Sequence, residues 1–271
     1  MLFNGINTIY NIKLQNAKAI GVPYRVLDNT TLNEKFGIEV VKTMDVLPEY
    51  PVVNLLTIGV AADDTATSRL NLTRSKHRPI DAALFNHLPF YLRPVSEVTN
   101  TPPSAKARLR KNIIIDGIEY LACYGYDLSG IDYKDDILIY SSLKEEYTNV
   151  SRLNTNDATF LNPTPVVTTG IDIANEENEY VTDFLKVEVF LTIDEVLEIK
   201  HAMDVLYGSS ILITELGICN SIIDVSEDGS EECYAAQIAY FLDTNISIDD
   251  AITNEHLRFH IDLGGMDILT V

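Results

Sequence analysis

The residues most able to do chemistry are five histidines, three cysteines and forty acidic side chains in 271 residues. His256 and His260 have the four-residue spacing of zinc ligands on a helix. Their surroundings, Leu257-Arg258-Phe259 and Ile261-Asp262-Leu263, alternate as a strand, which puts the two rings about 13 Å apart at a rise of ~3.3 Å per residue. That is too far for one metal. His77 and His87 lack a cysteine partner and read as loop and packing residues, and His201 is expected to pair with Asp204 or Glu198. Cys123, Cys219 and Cys233 are widely spaced and odd in number, so neither a zinc ribbon nor a disulfide framework is expected.

Asp63-Asp64, Asp135-Asp136 and Asp249-Asp250 are adjacent carboxylates. On a strand such neighbours point to opposite faces, which suits no acid and base pair. The acidic stretch from Asp224 to Glu232 lacks the spacing of a calcium loop. No phosphate loop, nucleophile elbow or dinucleotide fingerprint occurs. No catalytic, cofactor-binding or metal residues are assigned, and the expectation is a protein that is not an enzyme. A cell-wall hydrolase, resting only on abundant carboxylates, is the weakest of the functional alternatives.

The elements that would carry these residues are mostly strands. Val52–Val60, Asp135–Tyr140, Val181–Thr192, Ile211–Ile218 and Phe259–Leu263 have strand patterns. Asp116-Gly117 between two β-rich runs predicts a hairpin over Asn112–Tyr126. Phe90–Arg93, bracketed by Pro89 and Pro94, fits an edge strand. Glu232–Leu242 fits a strand or a short helix. Asp228-Gly229 marks a further turn. Pro79–Phe85 reads as a short helix with proline in its first turn, and a helix through Asn16–Ile20 should stop at Gly21. Thr192-Ile193-Asp194-Glu195 is a capping box that starts a helix over about 193–207, ended by Gly208. The expected class is α+β and β-dominant, built of antiparallel hairpins and sandwich-like modules with a few short helices.

Charge divides the chain. The total is −20, yet residues 1–150 carry only −1 and residues 151–271 carry −19. Within the first part, residues 69–111 form a basic tract of net +7. Its cations are Arg69, Arg74, Lys76, Arg78, Arg93, Lys106, Arg108, Arg110 and Lys111. The expected organisation is a mixed part over 1–150, an Asn/Thr/Pro-rich linker over 151–180 and an acidic β-rich module over 181–271. Such polarity suits pairing between the two parts, or head-to-tail contacts between copies, where complementary potentials fix register and closure makes a ring. The nine cations are the candidate interface. The acidic average argues against a general nucleic-acid binder but leaves local contact with DNA through the basic tract. No stretch approaches the ~20 apolar residues that span a bilayer, and no signal peptide is read, so folding in a reducing compartment is expected.

Two stretches carry a family likeness. One is His77-Arg78-Pro79-Ile80-Asp81-Ala82-Ala83-Leu84-Phe85-Asn86-His87-Leu88-Pro89-Phe90-Tyr91-Leu92-Arg93-Pro94, followed by Lys106–Arg110 and the Asp116-Gly117 hairpin ending in Tyr120–Tyr124. The other is Ile213-Thr214-Glu215-Leu216-Gly217-Ile218 with Tyr234-Ala235-Ala236-Gln237-Ile238-Ala239 downstream. Together they resemble virion structural proteins of large contractile-tailed bacteriophages: neck or collar, tail, or baseplate components. The resemblance implies a non-enzymatic subunit without cofactors, repeated around the tail axis. Its partners would be copies of itself and other virion proteins, with packaged DNA as a local contact for a neck protein. It would reside in the virion after assembly in the host cytoplasm. The alternative is a host-facing adsorption or fibre-attachment module.

Overall fold

The computed structural model describes residues 5–38, 47, 49–61, 76–130, 133–141, 146–149, 179–209, 211–225 and 231–264. The architecture is β-dominant, with antiparallel sheets and a few short helices. In chain order the elements are β1 (Gly5–Asn7), α1 (Ile9–Ile20), α2 (Leu32–Phe36), β2 (Val52–Val60), β3 (Asn86–Leu88), β4 (Tyr91–Pro94), β5 (Ala107–Ile115) and β6 (Ile118–Asp127). They continue with β7 (Tyr133–Ser141), β8 (Glu146–Asn149), β9 (Glu179–Thr192), α3 (Ile193–Tyr207), β10 (Leu212–Val225), β11 (Glu231–Ser247), α4 (Ile248–Thr253) and β12 (His256–Gly264).

An eight-stranded sheet has the path β1-β11-β10-β2-β6-β4, with β3 on β2 and β5 on β6. A four-stranded sheet has the order β12-β9-β7-β8. The compact units ignore the sequence boundary near 150. One comprises Met1–Gly130 with Phe190–Arg258, the other Ile131–Val189 with Phe259–Val271. The reason is the ladder between β2 and β10. Glu215↔Gly59, Leu216↔Ile58 and Gly217↔Thr57 are paired antiparallel, which sews the acidic part of the chain into the same sheet as the mixed part. The proposed linker lies almost wholly outside the described residues.

Local chemistry sets the helix ends. Thr8 accepts from the Asn11 amide to start α1, and Gly21 ends it at φ 67°. In α3, Thr192 and Glu195 form the reciprocal capping box and Gly208 ends the helix at φ 74°. Val196, Ile199, Ala202 and Met203 make its buried side. Pro79–Phe85 is a turn and not the expected helix. Asp81 accepts from the Arg78 amide at 2.8 Å while its own amide donates to the Arg78 carbonyl at 3.0 Å, closing a tight turn that competes with helix. Glu232–Leu242 lies within strand β11.

Strand β11 carries a bulge that the sequence pattern does not announce. The register with β10 shifts between Asn220↔Gln237 and Ile222↔Tyr234, and Ala235 takes φ 53°. The Asn33 side chain of α2 fills the broken ladder. It accepts from the Ala236 amide at 3.0 Å and donates to the Cys233 carbonyl at 2.9 Å. Asn33→Ala strands both backbone groups in the interior and is expected to lower stability by about 2–3 kcal/mol. Asn33→Asp keeps the acceptor but turns a buried carboxylate oxygen onto the Cys233 carbonyl, and should cost at least as much at neutral pH. Urea denaturation of the two variants checks the order.

Candidate functional site

The candidate interface does not behave as one surface. Arg69 and Arg74 lie outside the described residues. Lys76 and Arg78 are exposed. Arg78 holds Asp81 through Nε at 3.2 Å and Nη2 at 3.0 Å. Arg93 grips Glu198 of α3 with two donors, Nε at 3.0 Å and Nη2 at 2.9 Å. Lys106 sits over the Tyr126 ring, 5.4 Å from its centroid. Arg110 and Lys111 are half-buried on β5.

Arg108 departs from the expectation most clearly: only 1 % of it is exposed. Its place on β5 is opposite Gly125, over which the Leu55 side chain packs. Nη2 donates to Asp127 at 2.6 Å and to Glu231, and Nη1 donates to the carbonyls of Ala105 at 2.5 Å and Ala107 at 3.2 Å. A guanidinium so withdrawn from water is held only by partners of this kind. It is an internal anchor between the basic tract and the acidic part, and not an interface cation. Beside it, Leu109 is fully buried at φ 55°, its amide donating to Glu232 Oε1 at 2.9 Å.

A second buried cluster gathers around His77. Its ring lies between Phe85 and Phe241, with centroids 4.3 and 3.9 Å away and planes within 23° and 9°. Nε2 is 2.6 Å from Glu215 Oε2, and the other Glu215 oxygen accepts from the Asn86 amide at 3.3 Å. Asp81 Oδ2 is 3.7 Å from Nδ1. Glu215 stands opposite Gly59, where a Cβ would lie 2.6 Å from the Asn86 carbonyl and 2.9 Å from Glu215 Oε1. Glycine is what admits the carboxyl there.

His87 is a neutral member of the same neighbourhood. Its Nε2 accepts from the Leu84 amide at 3.1 Å, which leaves the proton on Nδ1 to donate to Thr57 Oγ1 at 2.9 Å. Burial, reinforced by the charges of Lys35 and His77, pulls its pKa down to about 3. A group with that pKa is a poor base near neutrality. The thiols are no better placed as nucleophiles. Burial pushes Cys123 up to about 12 and raises Cys219 and Cys233 further above the ordinary thiol range. Among the described residues no group of three or more His, Cys, Asp or Glu could hold a metal ion.

His201 pairs with neither expected partner. Glu198 is taken by Arg93, Asp204 is within 3.4 Å of Lys200, and burial and Arg93 lower the His201 pKa. His256 lies on strand β12 and stacks on Phe190, with ring centroids 5.7 Å apart. The His77–Glu215 and Arg108–Asp127 pairs had no signal in the sequence. Their members are 138 and 19 positions apart and follow no motif.

The low His87 pKa has a definite sign. Below pH 6.5 the unfolded chain protonates this ring and the folded chain does not, so acid favours unfolding until the pH falls to about 3. His87→Gln is expected to flatten the fall in stability between pH 6.5 and 5, by up to about 1.4 kcal/mol per pH unit. Denaturant midpoints of both proteins across that window measure it. Equal slopes would show that His87 does not titrate as described.

No curated protein and no solved structure matches the sequence. The one comparison that does match covers residues 4–271, nearly the whole chain, and by it the protein belongs to a family of unknown function, DUF7208.

Proposed function

We propose that this chain is a non-enzymatic structural subunit of a tailed bacteriophage particle. It assembles into a ring at the neck or collar, or in the tail or baseplate, through charge-complementary contacts between copies. The charge division carries the proposal: a basic tract of +7 and a C-terminal part of −19 on one chain. Part of that polarity is used internally, by Arg93 with Glu198 and by Arg108 with Asp127 and Glu231. Lys76 and Arg78 remain at the surface. So do acids of α3 and α4, namely Asp194, Asp204, Asp249 and Asp250. Opposite potentials on separate faces of a subunit steer a heterologous contact, and a heterologous contact that closes makes a ring.

The stretches that resemble virion proteins support the same reading by their placement. His77–Pro94 supplies β3 and β4, Asp116-Gly117 turns β5 into β6, and Ile213–Ile218 pairs with β11. All belong to the eight-stranded sheet. Rigid sheet elements of this sort suit a subunit whose task is to hold position.

Closed rings are expected when the purified protein is imaged at low salt, dispersing as ionic strength screens the contact. Lys76→Glu with Arg78→Glu should abolish them and leave the circular dichroism spectrum unchanged, since both side chains are exposed. Rings that ignore both salt and charge reversal would overturn the electrostatic contact. Virion preparations that lack the chain would overturn the viral assignment.

A further inference from the structure

We infer that the β5–β6 hairpin is a two-fold docking element, on which a second copy of this chain pairs antiparallel with β5 in a register centred on Ile113. The inference does not depend on the viral reading.

The hairpin is an exposed structure with an apolar edge. Among the described residues Ile114 is the most exposed large hydrophobic, at 77 %, and Ile118 is at 50 %. One face of the hairpin is spoken for: Ile113, Ile115 and Tyr120 pack with Leu92, Ala122 and Ala202. The other face, with Asn112, Ile114 and Glu119, is open to solvent. Among the described residues β5 pairs with β6 and with no other strand. An Ile-Ile-Ile edge without proline, bulge or charge in its centre is the kind that natural sheets cover or pair.

The turn fixes which backbone groups face outward. Asp116 and Gly117 both have positive φ, 50° and 79°, and close a two-residue loop on Ile115↔Ile118. Such a loop makes Ile115 and Ile118 a hydrogen-bonded pair, and bonding alternates along the ladder from there. Ile113 therefore bonds inward to β6, while Asn112 and Ile114 turn their amides and carbonyls outward. These are the groups a new strand would meet.

The charges on either side of the Ile113–Ile115 run choose the occupant and the register. From the middle of β5 into the turn the chain reads Arg110-Lys111-Asn112-Ile113-Ile114-Ile115-Asp116, basic at the start of this segment and acidic at its end. The segment is complementary to itself reversed. In an extended two-fold sheet, residues directly opposite must share a face, so they must both be even or both be odd in number. Setting Ile113 opposite itself satisfies this rule and brings Arg110 level with Asp116, the first turn residue, of the second copy. Asn112 then meets Ile114, with outward backbone groups on both strands, and Ile113 meets itself across the axis. The neighbouring permitted register, centred on Ile114, would place Arg110 opposite Ile118 and lose both charge pairs. A two-fold contact is also the commonest form of association between identical chains.

Cysteine cross-linking reads the register directly. Opposed residues at a position without mutual backbone bonds approach to about 4.5 Å between Cα atoms, which a disulfide spans. Ile113→Cys is expected to give a disulfide-linked dimer under mild oxidation. Ile115→Cys should not, because its counterpart lies four residues off. The native cysteines are buried and stay unlinked. Sedimentation velocity of the unmodified chain should show a monomer–dimer equilibrium, and Ile114→Lys should weaken it at least about tenfold. Three results would each overturn the inference: a monomer at every concentration, an Ile114→Lys dimer of unchanged affinity, or cross-linking at 115 as efficient as at 113. A ring that forms while residue 113 stays unlinked would refute the hairpin contact alone. A linked dimer that never forms rings would refute the ring contact alone.

Discussion

The middle of β10 is buried along its length, from Ile213 to Ile222, and its polar side chains, Asn220 Oδ1 excepted, find their partners inside the protein. The partners come from the N-terminal part of the chain. Thr214 accepts from the Ala61 amide, Glu215 meets His77 and the Asn86 amide, Asn220 donates to Asn11, and Ser221 donates to Asn54. A strand so placed cannot form with its own module alone. It requires β2 beside it, and β2 in turn needs β3 and β6. The discontinuous unit is thus a consequence of polar satisfaction as much as of apolar burial.

The same requirement explains the strained backbone. Leu109 and Ala235 hold left-handed conformations that cost a non-glycine residue of order 1 kcal/mol or more. Both sit where a neighbouring side chain rewards the departure. Glu232 accepts the Leu109 amide, and Asn33 serves both sides of the Ala235 bulge. Arg108 lies next to Leu109 and draws in Asp127 and Glu231. The strain and the buried cation belong to one region, where β5 approaches the start of β11.

What the sequence made legible follows the range of the interaction responsible. Helix α3 was readable to the residue because its ends depend on Thr192, Glu195 and Gly208, all local. The β5–β6 hairpin was readable because Asp116-Gly117 demands its turn. Strand Val52–Val60 was readable from a mostly apolar run, interrupted only by Asn54 and Thr57, that follows the turn bracketed by Pro48 and Pro51. The reading of Pro79–Phe85 failed because the Asp81 carboxylate captures the Arg78 amide, an option that helical pattern does not weigh. The boundary near 150 failed because it was drawn from charge, and charge says nothing of which strands pair. Arg108 was misplaced for a related reason. Its type and its neighbours read as surface, and only the two acids brought in by the fold let it be interior.

The polarity of the chain acquires two meanings once the interior is separated from the surface. Arg93 and Arg108 use it inside the fold, tying the basic tract to Glu198, Asp127 and Glu231. Charges consumed in this way cannot also steer a partner. The exposed charges, Lys76 and Arg78 and the acids of α3 and α4, are in part paired locally, Arg78 with Asp81 and Asp204 with Lys200, and each exposed pair is worth less than about 1 kcal/mol in water. Electrostatics can then set the direction and register of association but cannot supply its strength. An apolar contribution is needed as well, and Ile114 and Ile118 are among the exposed residues that offer one. Because the Ile113–Ile115 run lies between Arg110-Lys111 and Asp116, one short segment combines apolar surface with charges that give it a direction.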